Sequence, residues 1–390
     1  MMDVDFEIGP IRPPSESQSL LIRITRNCPW NQCTFCHTYK GELFSFRPVP
    51  EIKKDIDHIK AILGEMQQIS WRMGHGGKLT PPIIKLIYSQ GGGYGHGWQS
   101  VAGWLYFGGH QAFLQDANSL MVKTPDLVEI LAYLKKSLPS IERITSYARA
   151  KTVSQKSLAE LKELHQAGLS RIHIGMETGY DPLLQYIKKG VTGQEQVQAG
   201  RKVVASGISL SEYVMPGVGG KRWWREHAVE TAKVLNQIDP DFIRLRSLYV
   251  RQNMPLYEQV AKGDFVRLSD DEVVSEIRLF LSTLEGIHST LASDHILNLL
   301  EEVQGKLPED KEKMIAILDR YLTLPDEDRL HFRLGRRMGY FRNLDDLRDL
   351  DSRRHLHRVI DDLCKAEDEK KPPSPEDVEK AVYRLMEDYI

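Results

Sequence analysis

Leu20-Leu21-Ile22-Arg23-Ile24-Thr25-Arg26-Asn27-Cys28-Pro29-Trp30-Asn31-Gln32-Cys33-Thr34-Phe35-Cys36-His37 is the stretch from which the rest of the chain can be read. Its apolar opening has the length and composition of a buried strand. The loop that follows carries three of the chain's four cysteines within nine residues. Thiolates held this close repel one another unless a metal centre neutralises them, so Cys28, Cys33 and Cys36 read as metal ligands. Cys364 lies far away in a charged helical stretch and reads as a bystander.

Three metal centres compete for this loop. Structural zinc takes four ligands, and His37, adjacent to Cys36, is poorly placed to fold back onto the same tetrahedral ion. The C-x4-C-x2-C spacing also occurs in plant-type [2Fe–2S] ferredoxins, which add a downstream fourth cysteine, and Cys364 is too remote to be an obvious partner. A [4Fe–4S] cluster held by three cysteines suits the soft thiolates and leaves one iron open to a small molecule.

With the strand before it and Phe35 just ahead of the third cysteine, this run resembles the radical S-adenosylmethionine (SAM) superfamily. The usual motif there is C-x3-C-x2-C, and here the first gap is one residue longer. The resemblance implies a partial (β/α)6 barrel, a [4Fe–4S] cluster, and SAM as cofactors. The segment order is closest to the group of oxygen-independent coproporphyrinogen oxidase and the elongator catalytic subunit.

The rest of the chain fits that frame. Strand-like runs alternate with helical periodicity, the signature of β/α units and a parallel sheet. After Leu20–Thr25, a helix is predicted over Val49–Met66, where Ile52, Ile56, Ile59, Ile62 and Leu63 share a face. Further strands are predicted at Phe113–Asp116, Ile141–Tyr147, Arg171–Glu177, Ser209–Met215 and Phe242–Leu248, with helices at Pro125–Ser137, Ser154–Ala167 and Gln194–Ala205 between them. This makes an α/β radical SAM barrel over residues 1–261, interrupted at about 71–98 by an insertion so rich in glycine that it should resist regular structure. Residues 262–390 read as a helical C-terminal region with a linker at about 366–373. A last helix follows, with Ser374 as its N-cap and Pro375 in its first turn, and its apolar face should dock onto the domain.

Composition narrows the classes of function. The 390 residues carry a net charge of -2 and a sequence pI of about 6.7. There is thus no global electrostatic case for nucleic acid. No apolar stretch reaches spanning length, and the acidic N-terminus is not signal-like, so no membrane role is expected. Few cysteines beside an oxygen-sensitive cluster point to a reducing cytoplasm.

The resemblance also proposes contacts for SAM. The run Gln115-Asp116-Ala117-Asn118 stands where the family has a Gly-Gly-Glu type turn. Asp116, Asn118 and backbone carbonyls there would hold the methionyl ammonium, although Asx-turn chemistry explains the same residues. Ser146 and Tyr147 follow the third strand among SAM-contacting polar groups. Glu177, in Gly175-Met176-Glu177-Thr178-Gly179, would accept from the ribose hydroxyls. Lys189 would pair with the SAM carboxylate, with Lys188 as its alternative. Met215 and Gly217 would offer backbone to the adenine edge. Arg244 and Arg246 alternate along the sixth strand; they are anion clamps if that face is the lumen and surface arginines if it is not.

The reading that results is a radical SAM enzyme that cleaves SAM reductively and abstracts hydrogen from an unidentified substrate. Its partners would be that substrate and an electron donor such as flavodoxin or ferredoxin. Two other classes stay open: a haem or cluster carrier on the same scaffold, and a [2Fe–2S] electron-transfer protein.

Overall fold

The computed structural model describes residues 5–89, 95–365, 380 and 382–386. Among the described residues ten strands form: β1 (Leu20–Arg23), β2 (Thr25–Arg26), β3 (Ser45–Phe46), β4 (Gln111–Gln115), β5 (Arg143–Ala148), β6 (Leu169–Glu177), β7 (Ser209–Val214), β8 (Phe242–Leu245), β9 (Thr290–Ala292) and β10 (Gly305–Lys306). Eight of them make one sheet in the order β1-β4-β5-β6-β7-β8-β9-β10, and β2 and β3 pair separately. The first six of those eight are the strands predicted from the buried apolar runs. β1 runs parallel to β4, with Leu20 opposite Ala112 and Arg23 opposite Gln115. β4 is parallel to β5, and β5 to β6. Strands covered on both faces read as nearly continuous apolar runs, which is why they were legible. The fold is thus the α/β class expected, with helices between successive strands.

The chain divides into two compact units. One contains Met1–Asn31, Thr38–Gly175 and Gln198–Ser211; the other contains Gln32–His37, Met176–Val197 and Glu212–Ile390. In the first, the helix Val49–Arg72 buries Ile52, Ile56, Ile59, Ile62 and Met66 along one face. Each such side chain contributes roughly 1.5–3 kcal/mol when fully removed from water. In the second, Phe35, Leu183, Ile187, Met215, Val218, Val250, Leu256 and Phe265 form one apolar cluster.

The structure differs from expectation in three places. The glycine-rich stretch contains regular structure: a helix over Pro81–Ser89 buries Ile83, Ile84 and Ile87, and another over His96–Tyr106 buries Trp98, Val101 and Trp104. Apolar residues at helical spacing outweigh the local entropy of the flanking glycines. Residues 90–94 lie outside the described residues. The helix predicted over Ser154–Ala167 is two helices, Ala150–Gln155 and Leu158–Ala167. Ser157 breaks the run because its hydroxyl caps the second helix in a reciprocal capping box with Glu160. Hydrogen bonds from the Ser157 backbone and from Thr124 and Ser157 hydroxyls hold the Glu160 carboxyl at about 2.

The C-terminal region is not wholly helical. β9 pairs parallel with β8 and antiparallel with β10. Without β9, the edge of β8 would present a row of unpaired backbone groups. The predicted linker at about 366–373 and the start of the last helix lie outside the described residues. Of that helix's apolar face, Val382 and Met386 are buried, and Tyr383 stacks on Tyr249 at 4.5 Å. No helix among the described residues is long and apolar enough to cross a membrane.

Candidate active site

In the first unit, β1 delivers the chain into the cysteine loop, and Asp116 organises that turn. Its carboxylate is fully buried. Oδ2 accepts from Arg23 Nη2 at 2.7 Å and from the Asn27 backbone N–H at 3.1 Å, while Oδ1 accepts from the Tyr39 hydroxyl. Burial and this carboxylate hold the Tyr39 phenol well above its ordinary value, so it remains a donor. Asn27 and Asn31 take left-handed backbone, φ 68° and 47°, which asparagine tolerates better than bulkier residues. The turn aims the Asn31 N–H at Cys28 Sγ, 3.4 Å away. Asp116 therefore faces the loop's own donors, and the groups of its run left for an ammonium are backbone carbonyls.

Asn118 is likewise engaged, donating to Thr152 Oγ1 at 2.8 Å and accepting from the Arg149 N–H at 3.2 Å. Ser146 is fully buried and donates to the Tyr147 carbonyl at 3.0 Å. Tyr147 packs edge-on against Phe113. The Arg149 guanidinium lies 4.9 Å from the Trp30 ring centre, two residues from Cys28.

The second unit holds Cys33 and Cys36. Their loop is stitched by backbone bonds on both sides: the Thr34 N–H donates to the Ile187 carbonyl at 3.0 Å, and the Thr34 carbonyl accepts from the Leu256 N–H at 2.9 Å. Both thiols pack against the apolar cluster around Phe35. The Lys189 ammonium lies 5.5 Å from the Phe35 ring centre and donates to Glu177 Oε1 at 2.8 Å. The sequence Phe35, Lys189, Glu177 thus runs from the cysteine loop to the end of β6. Glu177 has φ 64°, a conformation that costs a non-glycine residue of order 1–3 kcal/mol and concentrates at functional sites. Its carbonyl accepts from the Met215 N–H at 3.0 Å. The turn beyond it needs glycine: a Cβ on Gly179 would stand 2.7 Å from the Glu230 carbonyl oxygen.

Sequence reasoning passed over Glu212. It sits fully buried on β7 near Lys189 and Glu177, and its Oε2 has no hydrogen-bond partner among the described residues. Burial, with the Glu177 charge adding to it, pushes its carboxyl well above the usual range despite Lys189. The available signal was an acid inside a strand of otherwise core character, Leu210-Ser211-Glu212-Tyr213-Val214.

A pH prediction follows from the sign of this shift. The folded state binds the Glu212 proton more tightly than the unfolded state does. The group's contribution is therefore most favourable below about 4.5 and is lost as pH rises toward its folded value. Glu212→Gln cannot titrate, so its unfolding free energy relative to wild type should climb as pH rises above about 4.5, by at most about 1.4 kcal/mol per pH unit, and its melting temperature with it. Parallel stability curves for the two proteins would show that Glu212 ionises normally.

Met215 is buried in the apolar cluster, and the Gly217 N–H donates to Glu276 Oε2 at 2.9 Å. Arg244 and Arg246 separate in role. Arg244 is buried and paired with Asp294 at 2.7 Å, whereas Arg246 lies just past β8 and is exposed. Burial and the Arg246 charge push the His295 imidazole down to about 4. Burial, then Arg251 and Arg246, lower the His37 imidazole. Its Nε2 lies 3.4 Å from Arg251 Nη1.

The donor set fits an iron–sulfur cluster. Cys28, Cys33 and Cys36 are half-buried. One receives a backbone N–H and the other two have an apolar wall, the surroundings that soft sulfur ligands of a cluster require.

A sequence profile of the Radical SAM superfamily matches residues 22–232, more than half of the chain. Two curated proteins named tRNA uridine(34) acetyltransferase are similar to it. The one from Methanocaldococcus jannaschii is 24% identical over 119 residues, covering 30% of this chain and 22% of that protein. The one from Methanocaldococcus infernus is 22% identical over 151 residues, covering 36% of this chain and 28% of that protein. The matches thus span about a quarter of those relatives' length. Among solved structures, coproporphyrinogen III oxidase from Escherichia coli is similar with a TM-score of 0.43 and 14% identity, over 68% of this chain and 52% of that one. A radical S-adenosylmethionine methyltransferase from Kitasatospora setae is similar with a TM-score of 0.43 and 13% identity, over 87% of this chain and 61% of that one.

Proposed function

The chain belongs to the radical SAM superfamily, and from that premise we propose that Cys28, Cys33 and Cys36 hold a [4Fe–4S] cluster at which the enzyme cleaves SAM. When bound, the reduced cluster and SAM supply a 5′-deoxyadenosyl radical able to abstract hydrogen from a substrate. The protein's share is to bind, orient and shield.

The observation that carries this reading is the contact path from Phe35 through Lys189 to Glu177. It links the cysteine loop to a strand-end carboxylate held in strained backbone. Glu177 Oε2, not engaged by Lys189, is the acceptor for a ribose hydroxyl. The Lys189 ammonium is the partner for the SAM carboxylate. The amine is met by backbone carbonyls of the Asp116–Asn118 run, with Asp116 fixing the turn through Arg23 and Tyr39. Ser146 and Tyr147 line the end of β5, and Met215 and Gly217 offer backbone to adenine. Arg246, exposed past β8, serves an anionic group of cofactor or substrate. Buried apolar side chains around Cys33 and Cys36 exclude water.

The reductant is a flavodoxin- or ferredoxin-type donor, and the substrate is a small molecule or a nucleic acid. The relatives named as tRNA-modifying enzymes bring tRNA into the set to be assayed, although the net charge of -2 offers no global basic surface.

The test is anaerobic reconstitution followed by dithionite reduction with SAM. Release of 5′-deoxyadenosine above a cluster-free control is expected. An intact cluster that consumes no SAM would identify a carrier, and two irons per chain with a [2Fe–2S] spectrum would identify an electron-transfer protein.

A further inference from the structure

Outside the cysteine loop, the C-terminal helices bring together a second set of metal-type ligands. Glu327 and His331 stand one turn apart on the helix Asp326–Arg337, and His357 comes from the helix Leu350–Lys365. One ligand atom from each lies within 4.8 Å of the others. The two imidazole rings are parallel, 5° apart in plane and 5.9 Å between centres. His331 Nδ1 is 2.8 Å from the Glu327 carbonyl oxygen, which can only accept. The ring proton is therefore on Nδ1, which in the neutral ring leaves the Nε2 lone pair for a metal. This is the tautomer-fixing bond that metal-bound histidines make. A neighbouring pair, Arg353 with Asp328 at 2.6 Å, ties the same two helices.

We propose that Glu327, His331 and His357 form a second metal site, for a divalent transition ion of the zinc class, that clips these two helices together. The donor set decides the ion: two imidazole nitrogens and one carboxylate suit zinc and its neighbours, whereas magnesium and calcium take oxygen ligands. Ligands on one such ion, bonded at about 2.0–2.2 Å, stand closer than 4.8 Å, and rotation of the exposed Glu327 and His357 side chains closes the difference. His331 is buried and supplies the fixed point. Water would complete the coordination, since two of the three ligands are exposed. The site is independent of the cluster and of the proposed SAM chemistry.

The experiment uses the full-length, cluster-loaded protein dialysed against graded Zn2+, with zinc and iron counted in the same samples by mass spectrometry. One zinc per chain beyond the cluster is expected. His357→Ala, a substitution at an exposed position, should weaken zinc binding by at least about tenfold, and Glu327→Gln by several-fold, both with iron unchanged. Zinc should raise the melting temperature of wild type and not of His357→Ala, because an ion bound only by the folded state stabilises it. Failure to bind zinc, equal binding by wild type and both variants, or zinc binding lost only when the loop cysteines are replaced would each overturn the site.

Discussion

Cys33→Ala, reconstituted anaerobically, is expected to hold iron at background level and to release no 5′-deoxyadenosine, while Cys364→Ala keeps both. The loop's fold does not depend on the thiol. Thr34 is bonded on either side to the backbone at Ile187 and Leu256, and Phe35 stays in its apolar cluster. Loss of iron would therefore report loss of a ligand and not collapse of the loop. Two remaining thiolates leave a cluster with two irons unprotected by protein, a state that solvent and oxygen dismantle. Cys364 lies in the separate helix Leu350–Lys365. Iron counts and anaerobic absorption spectra check both variants. If Cys33→Ala retains a full cluster, or if Cys364→Ala loses it, the ligand assignment is wrong.

Glu177→Gln should weaken SAM binding by about one to two orders of magnitude with iron content unchanged. Charge-assisted hydrogen bonds contribute roughly 1.5–3 kcal/mol each, and about 1.4 kcal/mol corresponds to a decade. The Lys189 pair adds a second effect. Both side chains are 11% exposed and 2.8 Å apart, so neutralising Glu177 weakens the pairing of a largely buried ammonium. The single variant should also lose stability. Pairing it with Lys189→Met removes the buried ammonium as well, and the double variant should regain melting temperature without regaining SAM affinity. Calorimetric SAM titration and thermal melts separate the two effects. SAM affinity equal to wild type would leave Glu177 as only the partner of Lys189.

How far the sequence could be read depended on the range of the interaction involved. The cysteine triplet stands out in the sequence because mutual repulsion of close thiolates is a local property of nine consecutive residues. β1 and β4 to β8 were legible because their buried positions carry runs of apolar and β-branched residues, and the helix Val49–Arg72 because its isoleucines repeat at helical spacing. Capping moved a boundary at Ser157 that periodicity alone had bridged. The helices flanking the glycines at residues 91–97 were misread by giving local entropy priority over burial of Ile84, Ile87 and Trp98.

Asp116 and Lys189 show what the linear order leaves open. The sequence marks each as a charged residue after a strand. It does not say that Asp116 is enclosed by Arg23, Tyr39 and the Asn27 N–H, or that Lys189 lies between Phe35 and Glu177. Their partners lie up to 154 positions away in sequence. Glu212 is the extreme case, since in the sequence it is an ordinary glutamate and only enclosure on every side raises its proton affinity. The sequence by itself pointed to a cysteine-held metal centre and to the six strands β1 and β4 to β8 with helices between them. Tertiary structure decided the partners of Asp116, Lys189 and Glu177 and the raised proton affinity of Glu212, because the cost of burying a charge depends on what encloses it and not on its neighbours along the chain.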